Sequence, residues 1–396
     1  MTFDKTIKPM VKKTVFIREK EKGLLRVGEL TPDRAAEIED EDGFVQQLIQ
    51  RMDGTRTIDQ IWADLQSIDS PLTADELSEF ISELDSFGLL DNLASAAYNS
   101  FSSAELERYK ANLNYFTSSS SLAYSPWEMQ RRLNRAKITI IGVGTLGSGV
   151  LFNLAGLGVE NIRIVDFDRV ELSNLNRQLL YKEEDIGRRK IDAAMEFIRS
   201  FHSRMKLECI PVEIRSTADA ENAIAGSDFV VLAADQPSFL LERWVNQACV
   251  KLGIPFIGGG VNGVEGQLYT VVPGRTGCLD CNYLNHSRQD EEYLRFLQQY
   301  ISSGFRMPST AIAPNYMILT GMACGEAVRL ITRTSDMQSE GKVVSIHFET
   351  FQTAIKMDFT SPSPDCPTCG HGIGKEPIFR FFRDWEESTN KCKGGV

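Results

Sequence analysis

Two groups of residues have the types and spacing that chemistry requires. The first is Gly142-Val143-Gly144-Thr145-Leu146-Gly147, a GxGxxG turn between the β-branched run Ile138 to Ile141 and a helical repeat of Val150, Leu151, Leu154 and Ala155. Glycines at this junction let backbone N–H groups approach a phosphate at a helix N-terminus. Asp166 closes a second predicted buried strand, Ile162 to Val165. It stands about 20 positions on, where an acidic side chain can hold a ribose hydroxyl. Together these predict a nucleotide site without saying which nucleotide. The second group is Cys278-Leu279-Asp280-Cys281 and Cys366-Pro367-Thr368-Cys369. Two CxxC knuckles supply the four thiolates of a closed tetrahedral Zn²⁺ site, with a redox disulfide as the alternative. With no open ligand position, such a zinc pins the C-terminal segment to its domain.

The elements that must position these groups are those of an α/β protein. From Lys137 onward, buried strands alternate with helices in the pattern of a Rossmann-like doubly wound sheet. Apolar positions mark helices over Lys190 to Phe201 and Phe239 to Leu252, and strands over Leu207 to Val212, Phe229 to Leu232 and Leu268 to Val272. Cys209, Cys249 and Cys324 fall on apolar faces and read as core. Asn282 to Pro314 is long and charged and reads as a mobile crossover that covers substrate. Of the four histidines only His286, in that crossover, is a candidate for proton transfer.

The first 95 residues have a different grammar. Thr14 to Glu29 predicts a β-hairpin, and Glu37 to Asp42 a solvated acidic loop. Three amphipathic helices follow, the second and third opened by the capping-box patterns Thr57/Gln60 and Thr73/Glu76. Strands with three short helices make a small α+β, winged-helix-like domain. The expected organisation is 1–95 as this domain, 96–135 as a linker or helical segment with a flexible tract at Thr117 to Ser121, 136–372 as the nucleotide domain, and 373–396 as a tail.

A net charge of −11 argues against sequence-independent nucleic-acid binding. The uncharged run Ile138 to Val159 has the length of a membrane span, but six glycines and a strand–turn–helix pattern argue against one. The N-terminal stretch lacks the apolar core of a signal peptide, and eight cysteines without one fit a reducing, cytoplasmic setting.

Beyond Asp166 the chain reads Asp166-Phe167-Asp168, then Leu172-Ser173-Asn174-Leu175-Asn176-Arg177-Gln178, then Ile186-Gly187-Arg188-Arg189-Lys190. This set resembles the ubiquitin-activating superfamily, the ThiF, MoeB and HesA group, from Lys137 through Cys369. The resemblance implies that the nucleotide is ATP, split at the α-phosphate to give an acyl-adenylate. It places Asp166 and Asp168 in the nucleotide site, Asp166 on the ribose, with Asn174, Arg177 and Gln178 near the phosphates. Lys190 would neutralise the β/γ-phosphates, and Asp235, in Ala233-Ala234-Asp235-Gln236, would hold Mg²⁺. It also implies the zinc at the four cysteines. Asp53 to Thr57 and Phe87 to Leu90 in the front domain resemble the PqqD-like element, which implies capture of a precursor's leader peptide by strand addition.

Within the superfamily the likeness is to the peptide-modifying branch, such as the enzyme that adenylates the microcin C precursor. Two features bear on the chemistry, and the second is a departure from the family's pattern. Asn282 to Pro314 holds no cysteine, so adenylation without thioester transfer is expected. The family's Arg-Tyr-x-Arg-Gln, whose second arginine reaches the partner subunit's ATP, is here Arg108-Tyr109-Lys110-Ala111-Asn112, leaving Arg108, Lys110 or the Arg131-Arg132 pair as substitutes. The resulting expectation is a homodimeric enzyme that activates a carboxylate on a ribosomally made precursor peptide in bacteriocin-type maturation. The alternatives are a sulfur-carrier adenylyltransferase, a leader-docking protein without ATP chemistry and, more remotely, a nicotinamide oxidoreductase.

Overall fold

The computed structural model describes residues 6–28, 35–67, 72–305, 308–310 and 312–393. The chain divides into two compact units, Met1–Asn134 with Ile331–Ser335, and Arg135–Leu330 with Asp336–Val396.

The first unit opens with β1 (Pro9–Val11), β2 (Phe16–Glu21), β3 (Leu24–Gly28) and β4 (Ala35–Glu39). The predicted hairpin is β2 against β3, and β4 extends it to a three-stranded antiparallel sheet. The acidic stretch from Glu37, read as a loop, therefore begins in a strand. Ile38 packs on the apolar core and Glu37 lies opposite Arg26, so alternation within the run outweighs its charge. Helices α1 (Phe44–Arg51), α2 (Ile58–Gln66) and α3 (Ala74–Ser86) follow, then β5 (Leu90–Asn92), which pairs with β1. Both expected capping boxes form. Asp40 accepts from the Val45 and Gln46 amides at 2.8 and 3.0 Å and so caps α1. Leu48, Ile49, Ile61, Leu65, Leu77, Ile81 and Leu84 close a core over Leu25 and Val27.

Residues 96–135 carry α4 (Ser103–Arg108), α5 (Lys110–Phe116) and α6 (Pro126–Arg135). The serine-rich tract expected to be flexible is held in place. Lys12, buried, donates to the carbonyls of Thr117 and Ser120 at 2.6 and 2.9 Å, and the Ser120 hydroxyl donates to Asp91. Phe101, Tyr109, Leu113 and Trp127 form a second core here.

The second unit is built on β6 (Lys137–Ile141), α7 (Thr145–Leu157), β7 (Asn161–Val165), α8 (Lys190–Phe201), β8 (Lys206–Ile210), α9 (Thr217–Ile224), β9 (Phe229–Leu232), α10 (Leu240–Leu252), β10 (Phe256–Asn262) and β11 (Glu265–Val271). It continues through α11 (Leu279–Gln289), α12 (Tyr293–Ser302), α13 (Ala313–Thr332, the last two residues belonging to the first unit), β12 (Lys342–His347), β13 (Thr353–Asp358) and α14 (Pro377–Lys393). The eight-stranded sheet runs β13-β12-β11-β10-β9-β6-β7-β8. The five strands from β10 to β8 are parallel, and β11 to β13 are antiparallel. This is the expected doubly wound α/β architecture. Strand order reverses between β6 and β9, and in such sheets a ligand binds at the carboxyl ends of the strands flanking that switch.

Much of the predicted crossover is helical, in α11 and α12, with Leu297 buried. The segment set apart as a tail forms α14, and its Ile378, Phe379 and Phe382 sit in the main core at helical spacing. Among the described residues no helix is long and apolar enough to cross a membrane.

Candidate nucleotide site and cysteine cluster

β6 ends at Ile141, and the chain turns at once through Gly142 with φ 87°. A Cβ there would lie 2.7 Å from that of Ala234, and one on Gly147 would lie 1.9 Å from the Gly142 carbonyl. Only glycine fits either position. Gly144 is the N-cap of α7 and offers no side chain, so the first-turn amides of a 13-residue helix stay free of a side-chain cap. The helix N-terminus thereby faces the switch point with unspent donors.

Asp166 is buried and receives two backbone amides, from Val143 at 2.8 Å and Asp168 at 2.7 Å. Burial pushes its carboxyl above the ordinary value, against the pull of the Val143 hydrogen bond and the Lys190 charge. Lys190, buried at the start of α8, places Nζ 2.9 Å from Asp168 Oδ2. Asn174 is buried and accepts from the Glu171 amide at 3.1 Å, which closes its own turn. Arg177 donates through Nη1 to the Ser173 carbonyl and Asn176 Oδ1, while its buried Nε has no partner. Gln178 is buried with Oε1 unpartnered, and its Nε2 lies 3.9 Å from where a Gly144 Cβ would stand. Asp235 is exposed just beyond β9, beside the Ala234 that touches Gly142. Its charge raises the pKa values of Glu242 and Tyr316, a secondary influence beside burial.

The structure thus gathers the glycine turn, Asp166, Asp168, Gln178 and Lys190 around the end of β6, with Asp235 next along. Two buried groups, one bonded to the glycine turn and one under the charge of Asp235, carried no signal in the sequence. Tyr181 donates its hydroxyl to the Val143 carbonyl at 2.7 Å. Glu242 accepts from Tyr283 at 2.8 Å, and burial raises its pKa. Of the cations considered in place of Ala111, Arg131 is spent. It donates to Ser100 at 3.0 and 2.6 Å, pairs with Glu105 and lies over the Phe101 ring. Arg132 pairs with Glu128 and lies over Tyr124. His286 stacks on Tyr293, with its pKa lowered chiefly by burial.

The four knuckle cysteines converge, their ligand atoms all within 4.8 Å of one another. Cys278 and Cys366 sulfurs are 3.6 Å apart, those of Cys281 and Cys369 3.3 Å. A disulfide needs about 2.05 Å, whereas thiolates on a tetrahedral zinc at about 2.3 Å sit roughly 3.8 Å apart. The arrangement fits zinc. Its surroundings are built to match. Asp280, between the first two cysteines, receives Arg243 in two hydrogen bonds of 2.8 and 3.1 Å and the Thr368 hydroxyl at 2.6 Å. The Ser363 amide points at Cys281 Sγ, 3.3 Å away. Cys324 is buried as expected and its thiol is pushed up to about 12, whereas Cys209, expected in the core, is only partly buried on β8, its thiol still raised to about 11 chiefly by burial.

A model of the ThiF family matches residues 116–368. The SAMP-activating enzyme E1 of Haloferax volcanii is 32% identical over 251 residues, which cover 62% of this chain and 84% of the relative. The sulfur carrier protein adenylyltransferase of Thermus thermophilus is 28% identical over 271 residues, covering 65% and 90%. In fold, the chain is similar to E. coli MccB. That microcin C7 biosynthetic enzyme, solved in complex with N-formylated MccA, matches with a TM-score of 0.69 at 22% identity over 91% of this chain and 99% of that one. MccB solved with ATP gives a TM-score of 0.69 at 23% identity, with the same coverage. With its glycine turn, its Asp166–Lys190 surroundings and its paired knuckles in place, the chain belongs to the ThiF family of E1-like adenylating proteins.

Proposed function

We propose that this protein uses ATP to adenylate a carboxylate on a ribosomally made precursor peptide. The observation that carries the reading is the set of unspent polar groups at the switch point. They are the uncapped α7 N-terminus, the buried and unpartnered Gln178 Oε1 and Arg177 Nε, and a lysine already aimed by Asp168. In the reaction a carboxylate oxygen of the peptide attacks the α-phosphorus. The bond from that phosphorus to the β-bridging oxygen breaks, and pyrophosphate leaves with the electron pair. Charge grows on the leaving group, where Lys190 and Arg177 are assigned to meet it. Asp166 and Asp168 are assigned to the ribose side, with Asn174 and Gln178 beside the phosphates. Asp235, an exposed oxygen donor, suits Mg²⁺, which when bound would neutralise the β/γ-phosphates. A zinc held by Cys278, Cys281, Cys366 and Cys369 would be structural.

The peptide is the favoured substrate because the fold likeness to MccB covers 91% of this chain and the MccB structures include bound MccA. The small front sheet with α3 suits PqqD-like leader capture by strand addition, and 282–314 supplies no thiol for thioester transfer. A homodimer is supported by Phe152, Leu179 and Met317, exposed by 41, 62 and 62%, which border one cavity of 330 Å³. A cytoplasmic setting fits the unpaired thiols.

A second reading is kept because of the Thermus sulfur-carrier enzyme: the acceptor would then be a protein tail. Isotope exchange between pyrophosphate and ATP separates the two. Stimulation by a precursor peptide encoded beside this gene supports the first reading. Stimulation only by a small carrier ending in Gly-Gly supports the second, and no ATP cleavage with either overturns both.

A further inference from the structure

We propose that Tyr181 is a positioning residue of the nucleotide site, its hydroxyl tying the Gly142–Gly147 turn to the Asn174–Gln178 turn so that both present one pre-formed phosphate receptor. The proposal rests on the nucleotide reading above. Tyr181 is 6% exposed and donates to the Val143 carbonyl at 2.7 Å. The amide of the same Val143 donates to Asp166 at 2.8 Å. Val143 is therefore gripped at both its polar backbone atoms, from two different loops.

The consequence lies in the next peptide. A trans peptide is planar, with its C=O and N–H on opposite sides. Pinning the Val143 carbonyl toward Tyr181 turns the Gly144 N–H the other way. That N–H has no hydrogen-bond partner among the described residues, and it immediately precedes the uncapped first turn of α7. It is a donor held in place for an acceptor that the protein does not supply. On the other side, the Tyr181 amide donates to the Gln178 carbonyl at 3.2 Å, which places the ring within the turn that carries Gln178 and Arg177. The Gln178 amide group in turn faces Gly144. Without the hydroxyl, the Val143 carbonyl would lose its tyrosine partner and the Val143–Gly144 peptide would be free to rotate. Burial and three nearby aspartates push the Tyr181 pKa well above its usual value, so the hydroxyl remains a donor at every working pH.

Tyr181→Phe keeps the ring and removes only the donor. In the full chain, calorimetry with MgATP and with adenosine should show the MgATP dissociation constant raised about fivefold to tenfold, as for loss of one buried hydrogen bond. Adenosine, which has no phosphate, should bind within about twofold of wild type. A merely structural role would weaken both alike. Hydrogen exchange at Val143, whose amide is bonded to Asp166, should quicken in the variant while the amides of β6 keep their protection. In the wild-type chain the Gly144 amide resonance should shift on addition of MgATP, a readout that needs no variant. Unchanged MgATP affinity, equal losses for both ligands, or no shift at Gly144 would overturn the proposal. A wild-type chain that binds no MgATP would overturn the nucleotide reading along with it.

Discussion

Lys190 meets Asp168 twice. Its ammonium lies 2.9 Å from the aspartate's Oδ2, and its backbone amide donates to the same residue's carbonyl, also at 2.9 Å. The side chain is thereby aimed before any nucleotide arrives, which is where preorganised electrostatic catalysis gains its advantage. Lys190→Ala should lower the rate of pyrophosphate release by about a hundred- to a thousandfold, equivalent to about 3–4 kcal/mol. Asp235→Ala should cost a similar factor, and the double variant much less than the product, as the proposed action of both on one transition state requires. Full additivity in a pyrophosphate-release assay would separate their roles.

The cysteine cluster predicts about one tightly held Zn²⁺ per chain by metal analysis of the purified protein. Cys366→Ser should lower the melting temperature more than it alters turnover in the protein that stays folded. A metal-free chain of undiminished stability would refute the site.

Arg243 offers a second approach to the same region, because its side chain is 6% exposed and that of Asp280 is 0% exposed. Arg243→Leu leaves a buried carboxylate without its countercharge between two metal-site cysteines. The expected cost is about 3–5 kcal/mol, read in denaturant titration, with loss of zinc in parallel. Restoring the balance with Asp280→Asn should recover part of it.

Asp91 predicts a pH dependence. Burial raises its carboxyl above the ordinary value, outweighing the Ser120 hydrogen bond and the Lys12 charge. Its native pKa therefore exceeds the unfolded one, and the native state binds more protons between the two. The stability contributed by the protonated form is complete below about pH 4 and is lost as pH rises through the raised native pKa. Asp91→Asn should flatten that part of the melting-temperature profile. Asp85, raised mainly by burial as well, should leave a residual slope.

Leader binding, if it lies in the front unit, should be independent of ATP. A fragment spanning residues 1–134 should retain affinity for the precursor's leader, and one spanning 137–396 should not. A fragment ending at Ser95 should be distinctly less stable, since it discards the Thr117 and Ser120 carbonyls that satisfy buried Lys12. Equal leader binding by the two larger fragments would show that the site lies elsewhere.

What the sequence made legible was local. The glycine turn, the two cysteine knuckles and the capping boxes Thr57/Gln60 and Thr73/Glu76 each declare themselves within a few residues, and each is found in place. What it hid depends on distant partners. Lys12 reads as one of several surface lysines until it meets carbonyls 105 and 108 positions away. The segment 96–135 reads in sequence only as a linker or helical segment, because Phe101, Tyr109 and Trp127 bury against one another rather than along one long stripe. A signal was there: Ser102 and Glu105 form a third capping box. Tyr181 had none, since an aromatic after a polar turn is ordinary and its importance comes from a hydroxyl 38 positions from its acceptor.

The spacing of the knuckles also bears on how the chain is made. Cys366 and Cys369 each lie 88 positions beyond their nearest sulfur partners, and α14 joins the central core only after them. During synthesis the glycine turn, its strands and both of its aspartates leave the ribosome long before the second thiolate pair exists. The proposed nucleotide pocket can therefore assemble early, while closure of the cysteine cluster waits on a segment translated well after it. Metal capture there would act as a late checkpoint: a chain cut short before Cys369 would carry a finished glycine turn on a domain that lacks its fourth thiolate.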